Sequence, residues 1–324
     1  MFKKITHNFL KYISLSSCHS SIFMLHRVED IDPNGVVANE NMKVSPAFLE
    51  NFIIDSQKKG YEFISLNELS NLLLSDISFK KKIVMTLDDG YIDNYLKAYP
   101  IFKKYNVPFV IYLTTSFPEN TAIMWWYVLE DFLLGNNDIH LADGSTFKCV
   151  TLKEKNEVFL IIRDKILNLD QQSLLAELNI LFSQYEIDWL GKAKELAMNW
   201  DQIKKMSLDP LVTIAGHTKN HYVFNRISQE LINEEIVEAN ELIEMKIGKK
   251  VEHFAFPFGS DREVELDQIN FVKKFNFKTV VTTRRGNIFK KHNKYLYMLP
   301  RVMLTENFSY SDISLIKRKY IVTE

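Results

Sequence analysis

At 324 residues the chain exceeds the usual single-domain size, yet α/β barrels reach this length as one domain, so it can bury a large core. Lysine plus arginine (40) balance aspartate plus glutamate (41), which leaves no global field for a polyanion and argues against nucleic acid as a partner. Two cysteines, Cys18 and Cys149, are too few for a disulfide framework and lack the spacing of a thiolate metal site, so a reducing compartment is compatible.

The opening Met1-Phe2-Lys3-Lys4 looks like the start of a signal peptide, but His7, Asn8 and Lys11 break the apolar stretch that should follow. The strand-like Ile22-Phe23-Met24-Leu25 comes soon after, and cleavage nearby would damage a barrel, so the expectation is a cytoplasmic protein. No uninterrupted apolar run approaches the roughly 18 residues of a membrane span, while peripheral contact with the inner face of a membrane through Lys3, Lys4 and Lys11 stays open.

Further on, short β-branched or aromatic runs alternate with longer stretches of helical period, the pattern of βα units around a parallel sheet. Strands are predicted over 21–26, 61–65, 82–87, 107–113, 211–216, 251–257 and 278–283, with a weaker one over 296–302. Helices are predicted over about 46–59, 91–105, 228–247 and 261–275, the third carrying Leu231, Ile232, Ile236 and Ile243 at helical spacing. Seven or eight such units predict one closed barrel domain over 1–324. The alternation stops over 115–205, where helical patterns follow one another without a strong strand. That length is too great for a bare loop and reads as a helical insertion forming a lid or wall. It contains Trp125-Trp126-Tyr127 and the turn signal Asp143-Gly144.

The residues with chemistry sit at the ends of these runs. Leu87-Asp88-Asp89-Gly90-Tyr91 sets two adjacent carboxylates at the end of Ile83-Val84-Met85-Thr86-Leu87, and His217-Thr218-Lys219-Asn220-His221 follows Leu211-Val212-Thr213-Ile214-Ala215. One carboxylate and two imidazoles make the open ligand set of a catalytic zinc centre. Leu25-His26-Arg27 and Phe256-Pro257-Phe258-Gly259 also follow strands, and in a parallel barrel all strand ends meet on one rim. Taken singly each motif has a bland explanation: a capped turn for Asp-Asp-Gly, a helix surface for the two histidines, a turn for Pro-Phe-Gly, a hydrogen-bonded core residue for His26. Their joint placement at strand ends is what points to a site.

On these residues the chain resembles the polysaccharide deacetylases of carbohydrate esterase family four. Thr86-Leu87-Asp88-Asp89-Gly90-Tyr91 is similar to the family's Thr-Phe-Asp-Asp-Gly motif, His217-Thr218-x-x-His221 to its His-Ser/Thr-x-x-His motif, and Phe254-Ala255-Phe256-Pro257-Phe258-Gly259 to its third. Met24-Leu25-His26-Arg27-Val28 and Leu299-Pro300-Arg301 resemble a branch whose barrel strands are circularly permuted. The resemblance implies a distorted (β/α) barrel of seven or eight strands, with Asp88 as general base and Asp89, His217 and His221 holding a divalent metal. Zinc is the default ion, with cobalt, nickel or iron suited to the same ligands. The Phe258 N–H could complete an oxyanion hole.

Three departures from the family pattern matter. Ala255 replaces the arginine that usually precedes Pro-aromatic-Gly, and Arg301 is the candidate substitute as partner of the base. An Asp-x-x-Asp-Trp element is not recognisable near Thr282-Thr283-Arg284-Arg285-Gly286, and the late Leu-x-His is absent, so His26 becomes the candidate general acid. A core or capping role for His26, and a structural ion pair for Arg301, stay open beside these. Asp93 and Asn94 read as first-turn helix residues without chemistry. Trp125 and Trp126 read as core first and as a sugar platform second, and Trp200 as a packing residue.

The implied function is hydrolytic removal of an N-acetyl group, with O-acetyl as the lesser reading, from an amino sugar of a surface polysaccharide, glycolipid or precursor. The partner expected is therefore an N-acetylated saccharide. Two alternatives stand: hydrolysis of another amide or a cyclic imide, and a carbohydrate-binding or assembly protein that keeps the barrel without catalysis.

Overall fold

Runs rich in valine, isoleucine and phenylalanine become seven parallel strands: β1 (Ser20–Leu25), β2 (Lys82–Asp89), β3 (Phe109–Leu113), β4 (Val212–Gly216), β5 (His253–Ala255), β6 (Thr279–Arg285) and β7 (Leu299–Met303). Around the ring the order is β1, β7, β6, β5, β4, β3, β2. Strand β1 pairs with β2 along its whole length, from Ser20 opposite Lys82 to Leu25 opposite Leu87, which closes the barrel. The structure, a computed structural model, describes residues 20–310 and Ile313. Lys3, Lys4, Lys11, the signal-like opening and Cys18 lie outside the described residues.

Side chains along the strands alternate between two apolar layers, as the two-residue strand period requires. Ile22, Val84, Val110, Val281 and Leu299 pack together with Leu66, Leu69 and Leu73 of a short helix, α1 (Leu66–Leu74). Their strand neighbours Phe23, Met85, Phe109 and Ile111 pack instead against outer helical residues such as Leu49, Phe52 and Ile53. Both faces of each strand are buried, which is why the runs read as continuously apolar. Each such side chain contributes about 1.5–3 kcal/mol of transfer free energy.

The 61–65 run does not join the ring. Only Glu62–Phe63 is extended, pairing with Lys82 and Ile83 at the start of β2, because Ser65 already caps the next helix by accepting from Glu68 N. The barrel therefore has seven strands, and the run at 296–302 supplies the last of them. The expected helix over 91–105 is also broken. It begins with a π-turn at Asn94–Ala98 and becomes α-helical only over Tyr99–Lys104, where Pro100 lacks the N–H that an α-helix would pair with Leu96. Likewise the 261–275 helix starts only at Leu266, leaving 261–265 as a loop over the barrel mouth.

Between β3 and β4 lie the helices α2 (Trp125–Gly135), α3 (Leu152–Leu167) and α4 (Leu174–Leu181), and a two-stranded antiparallel hairpin, Asp138–His140 with Thr146–Lys148, which turns at Asp143-Gly144. Trp125, Leu129, Phe132, Phe159, Ile162, Phe182 and Trp189 share one apolar cluster there. Thr151 and Glu154 form a reciprocal capping box that starts α3. Among the described residues no helix is long and apolar enough to cross a membrane.

Candidate active site

All the residues singled out by sequence lie at or just beyond the carboxyl ends of the barrel strands. Asp88 and Asp89 end β2, His26 follows β1, His217 follows β4, Phe258 lies three residues past β5, and Arg301 is within β7. Five of these, Asp88, Asp89, His26, His217 and Phe258, line one cavity of about 590 Å³ together with His221, and Arg301 reaches its floor through Asp88.

The adjacent carboxylates have separate partners. Asp88 receives Arg301 in a fork, Nη1 to Oδ1 and Nη2 to Oδ2, each at 2.6 Å. The guanidinium is itself fixed, Nε donating to the Thr282 carbonyl at 3.0 Å and Nη1 to Thr86 Oγ1 at 3.1 Å. Burial alone pushes the Asp88 carboxyl upward, but the Arg301 charge and hydrogen bonds outweigh it and hold the group below the usual carboxylate range. Arg301 is thus the guanidinium that faces Asp88, while Ala255 ends β5.

Asp89 turns the other way, with φ +74°, and is followed by Gly90 at φ +107°, where a Cβ would lie 2.6 Å from Leu113 Cδ1. Its Oδ1 stands 3.4 Å from His217 Nε2 and 3.3 Å from His221 Nε2, and one ligand atom from each of the three lies within 4.8 Å of the others. His217 Nδ1 is 2.8 Å from the Ala255 carbonyl, which selects the tautomer with a free lone pair on Nε2. Burial lowers His221 to about 4, keeping it neutral as a ligand must be. Asp89 Oδ1 is buried and accepts no hydrogen bond among the described residues. An orphaned carboxylate oxygen facing two imidazole nitrogens fits a divalent cation with one oxygen and two nitrogen donors.

Strain collects here. Asp89, Thr218, His221 and Phe258 are non-glycine residues with φ between +58° and +74°. The Phe258 loop is held by Thr283, whose N–H donates to Gly259 O at 3.0 Å and whose Oγ1 donates to Phe258 O at 2.6 Å. The Phe258 N–H itself makes no hydrogen bond among the described residues, and its ring lies 4.8 Å from that of His221. His26 is partly buried; its Nδ1 is enclosed and has no partner among the described residues. Burial lowers its pKa against the pull of Asp89 and Asp88.

Several supporting residues escape the sequence reading. Asp93 is no exposed cap: it is buried, accepting from Arg27 Nε at 2.7 Å and from Val28 N at 2.9 Å, and Asn94 Nδ2 donates to the His26 carbonyl at 2.9 Å. Together they fix the backbone that carries His26. Glu235 accepts from Lys219 N at 3.1 Å, Asn220 N at 2.7 Å and Asn220 Nδ2 at 2.6 Å, holding the loop between the two histidines. A glutamate in register with Ile232, Ile236 and Ala239 on a buried helix face is the signal that could have found it. Both tryptophans border the cavity and pack in the cluster of the inserted helices, Trp125 buried and Trp126 half-buried, the ring of Trp126 5.9 Å from His221 and its Nε1 donating to Tyr91 Oη at 3.1 Å.

The sequence profile of the family described as Polysaccharide deacetylase matches residues 77–141 and 171–280, together more than half of the chain. YxkH of Bacillus subtilis (strain 168), named for the same family, is 42% identical over 55 residues, 17% of this chain and 20% of YxkH, so the match spans about a fifth of that relative. Among solved structures, Streptococcus pyogenes deacetylase PplD in complex with acetate superposes with a TM-score of 0.60 at 19% identity, covering 91% of this chain and 96% of PplD. IcaB from Ammonifex degensii superposes with a TM-score of 0.55 at 18% identity, covering 89% and 93%. At these identities the likeness is one of fold.

Proposed function

The chain belongs to the polysaccharide deacetylase family, and from that premise we propose that it is a divalent-metal-dependent hydrolase removing N-acetyl groups from an amino sugar of a surface polysaccharide, glycolipid or precursor. The observation that carries this reading is the convergence of Asp89, His217 and His221 beside the Asp88–Arg301 pair in one cavity. PplD, which shares the fold, was solved with acetate, the acid this reaction would release.

When bound by Asp89, His217 and His221, a divalent cation, with zinc the default and cobalt, nickel or iron suited to the same donors, supplies Lewis acidity toward water and the acetyl carbonyl. The remaining steps belong to the chain. Asp88, kept ionised by Arg301, takes a proton from the attacking water as the new C–O bond forms. The Phe258 N–H, which makes no hydrogen bond among the described residues, donates to the carbonyl oxygen as its charge develops. His26, in its protonated form, passes a proton to the nitrogen as the C–N bond breaks, and the proton that Asp88 took from water restores that form, so the balance closes. Trp126 offers an apolar face for the sugar ring at the wall of the cavity.

An intact Asp88–Arg301 fork and three assembled donor groups support catalysis over the carbohydrate-binding alternative. The test is acetate release from defined N-acetylated oligosaccharides after loading with zinc, cobalt, nickel or iron. Release that depends on the ion supports the proposal. Stoichiometric metal binding without acetate release from any N-acetylated or O-acetylated saccharide would refute it and leave the other amide substrates.

A further inference from the structure

Two arginines line the cavity without a part in the chemistry above: Arg163, from helix α3, and Arg262, from the loop after β5. Neither guanidinium makes an ion pair or a hydrogen bond among the described residues. Only the backbone of Arg262 is engaged, its N–H donating to Ser260 Oγ at 3.1 Å and its carbonyl accepting from Asn225 Nδ2 at 2.7 Å. By contrast Arg27, Arg226, Arg284 and Arg301 each donate to an oxygen of the chain.

The position of Arg163 is built. Phe159, Leu160 and Arg163 fall on one face of α3 by the i, i+4 and i, i+3 spacings, and all three line the cavity. The residue is partly buried, and a partly buried guanidinium without a counter-charge is costly unless a ligand supplies one. Glu263, a carboxylate of the same lining, accepts from Ser260 Oγ and forms no ion pair with either arginine among the described residues. The other two carboxylates of the lining are engaged elsewhere, Asp88 by Arg301 and Asp89 beside His217 and His221, which leaves the half-buried Arg163 and the exposed Arg262 without a counter-charge among the described residues.

We infer that Arg163 and Arg262 form an anion-recognition patch in the cleft, and that the saccharide carries a carboxylate or phosphate group on or next to the acetylated residue. A guanidinium fork matches both anions in geometry and charge, whereas a neutral sugar would be met as well by amides and hydroxyls. The identity of the ligand as an acetylated saccharide rests on the deacetylase reading; the preference for an anion does not.

The experiment measures binding to the full chain by calorimetry with four probes: N-acetylglucosamine, N-acetylglucosamine 6-phosphate, N-acetylglucosaminuronic acid and glucose 6-phosphate. At least one of the two charged acetylated sugars should bind about tenfold or more tighter than the neutral one, and the better of them identifies the anion. That preference should shrink as salt is added. The double variant Arg163→Gln, Arg262→Gln should bring charged and neutral sugars within about twofold while leaving N-acetylglucosamine affinity where it was. Equal binding of charged and neutral sugars by the wild-type chain, or a preference that survives the double variant, overturns the inference. If the double variant does not fold, the single Gln variants and the salt series decide the same question. Glucose 6-phosphate has no acetyl group, so its arginine-dependent binding would uphold the patch even if no acetylated sugar were turned over, a result that would count against the deacetylase reading alone.

Discussion

Arg301 and Asp88 are 213 residues apart in the chain and meet through two hydrogen bonds of equal length, both oxygens of one carboxylate against both terminal nitrogens of one guanidinium. Arg301 is 1% exposed and Asp88 also 1%, so the pair is withdrawn from bulk solvent.

Removing one member of such a pair strands the other. Arg301→Met should destabilise the fold by about 3–5 kcal/mol, whereas Arg301→Lys, which keeps the charge and loses the fork, should fold but lose activity. Urea unfolding and acetate release on the same preparations check this. Lysine activity equal to the wild type would remove the orienting role from Arg301.

Asp88 and Asp89 are neighbours with separate partners, and single variants should separate the roles proposed for them. Asp88→Asn should bind metal with wild-type stoichiometry while turnover falls by roughly 100-fold or more. Asp89→Ala and His217→Ala should lose the metal and remain folded, as read by elemental analysis and circular dichroism. Metal retained by both would sink the proposed ligand set.

His26→Ala should leave metal occupancy unchanged and lower turnover of N-acetyl sugars by about 100-fold or more, with a smaller loss on activated acetyl esters, whose leaving groups need little protonation. The motivation is an enclosed imidazole nitrogen without a partner on the wall of the same cavity. Equal losses on both substrates would dismiss His26 as the acid.

Away from the site, His253 predicts a pH dependence of stability. Burial lowers it from 6.5 to about 4, with Nδ1 at 2.8 Å from Thr279 Oγ1 and Nε2 at 3.2 Å from Asn67 Oδ1. Above pH 6.5 both folded and unfolded chains hold this histidine neutral, so it costs nothing. As pH falls from 6.5 toward 4 the unfolded chain takes up a proton that the folded one refuses, and stability drops by on the order of 3 kcal/mol at the full extent. His253→Asn should therefore lose less stability between pH 7 and pH 5 than the wild type, by about 2 kcal/mol in denaturant titrations. Parallel curves would contradict the assignment.

Much of this was legible in the sequence because parallel strands buried on both faces announce themselves as apolar runs, and the residue after each run must lie on the rim. Asp88, Asp89, His217 and Phe258 follow from that rule alone. Asp93 and Asn94 do not, because what distinguishes a helix-capping aspartate from one paired to Arg27 is a contact across 66 residues. The hairpin Asp138–His140 with Thr146–Lys148 has three-residue strands, too short to display alternation, and only Ile139 among Asp138–His140 is buried. The run 61–65 misleads in the opposite sense, since its composition suits a strand and only the Ser65 cap cuts it short.

The closure of β1 onto β2 and β7 has a bearing on how the protein is made. A chain leaves the ribosome at about 5–20 residues per second, N-terminal end first, so β1 through β6 emerge before their ring can close. Until Arg301 emerges, Asp88 has no guanidinium to face, and a desolvated carboxylate there is more costly than a hydrated one. The nascent barrel is thereby discouraged from sealing early around an incomplete floor. Closure of the ring and pairing of the Asp88 carboxylate thus both wait for the final stave.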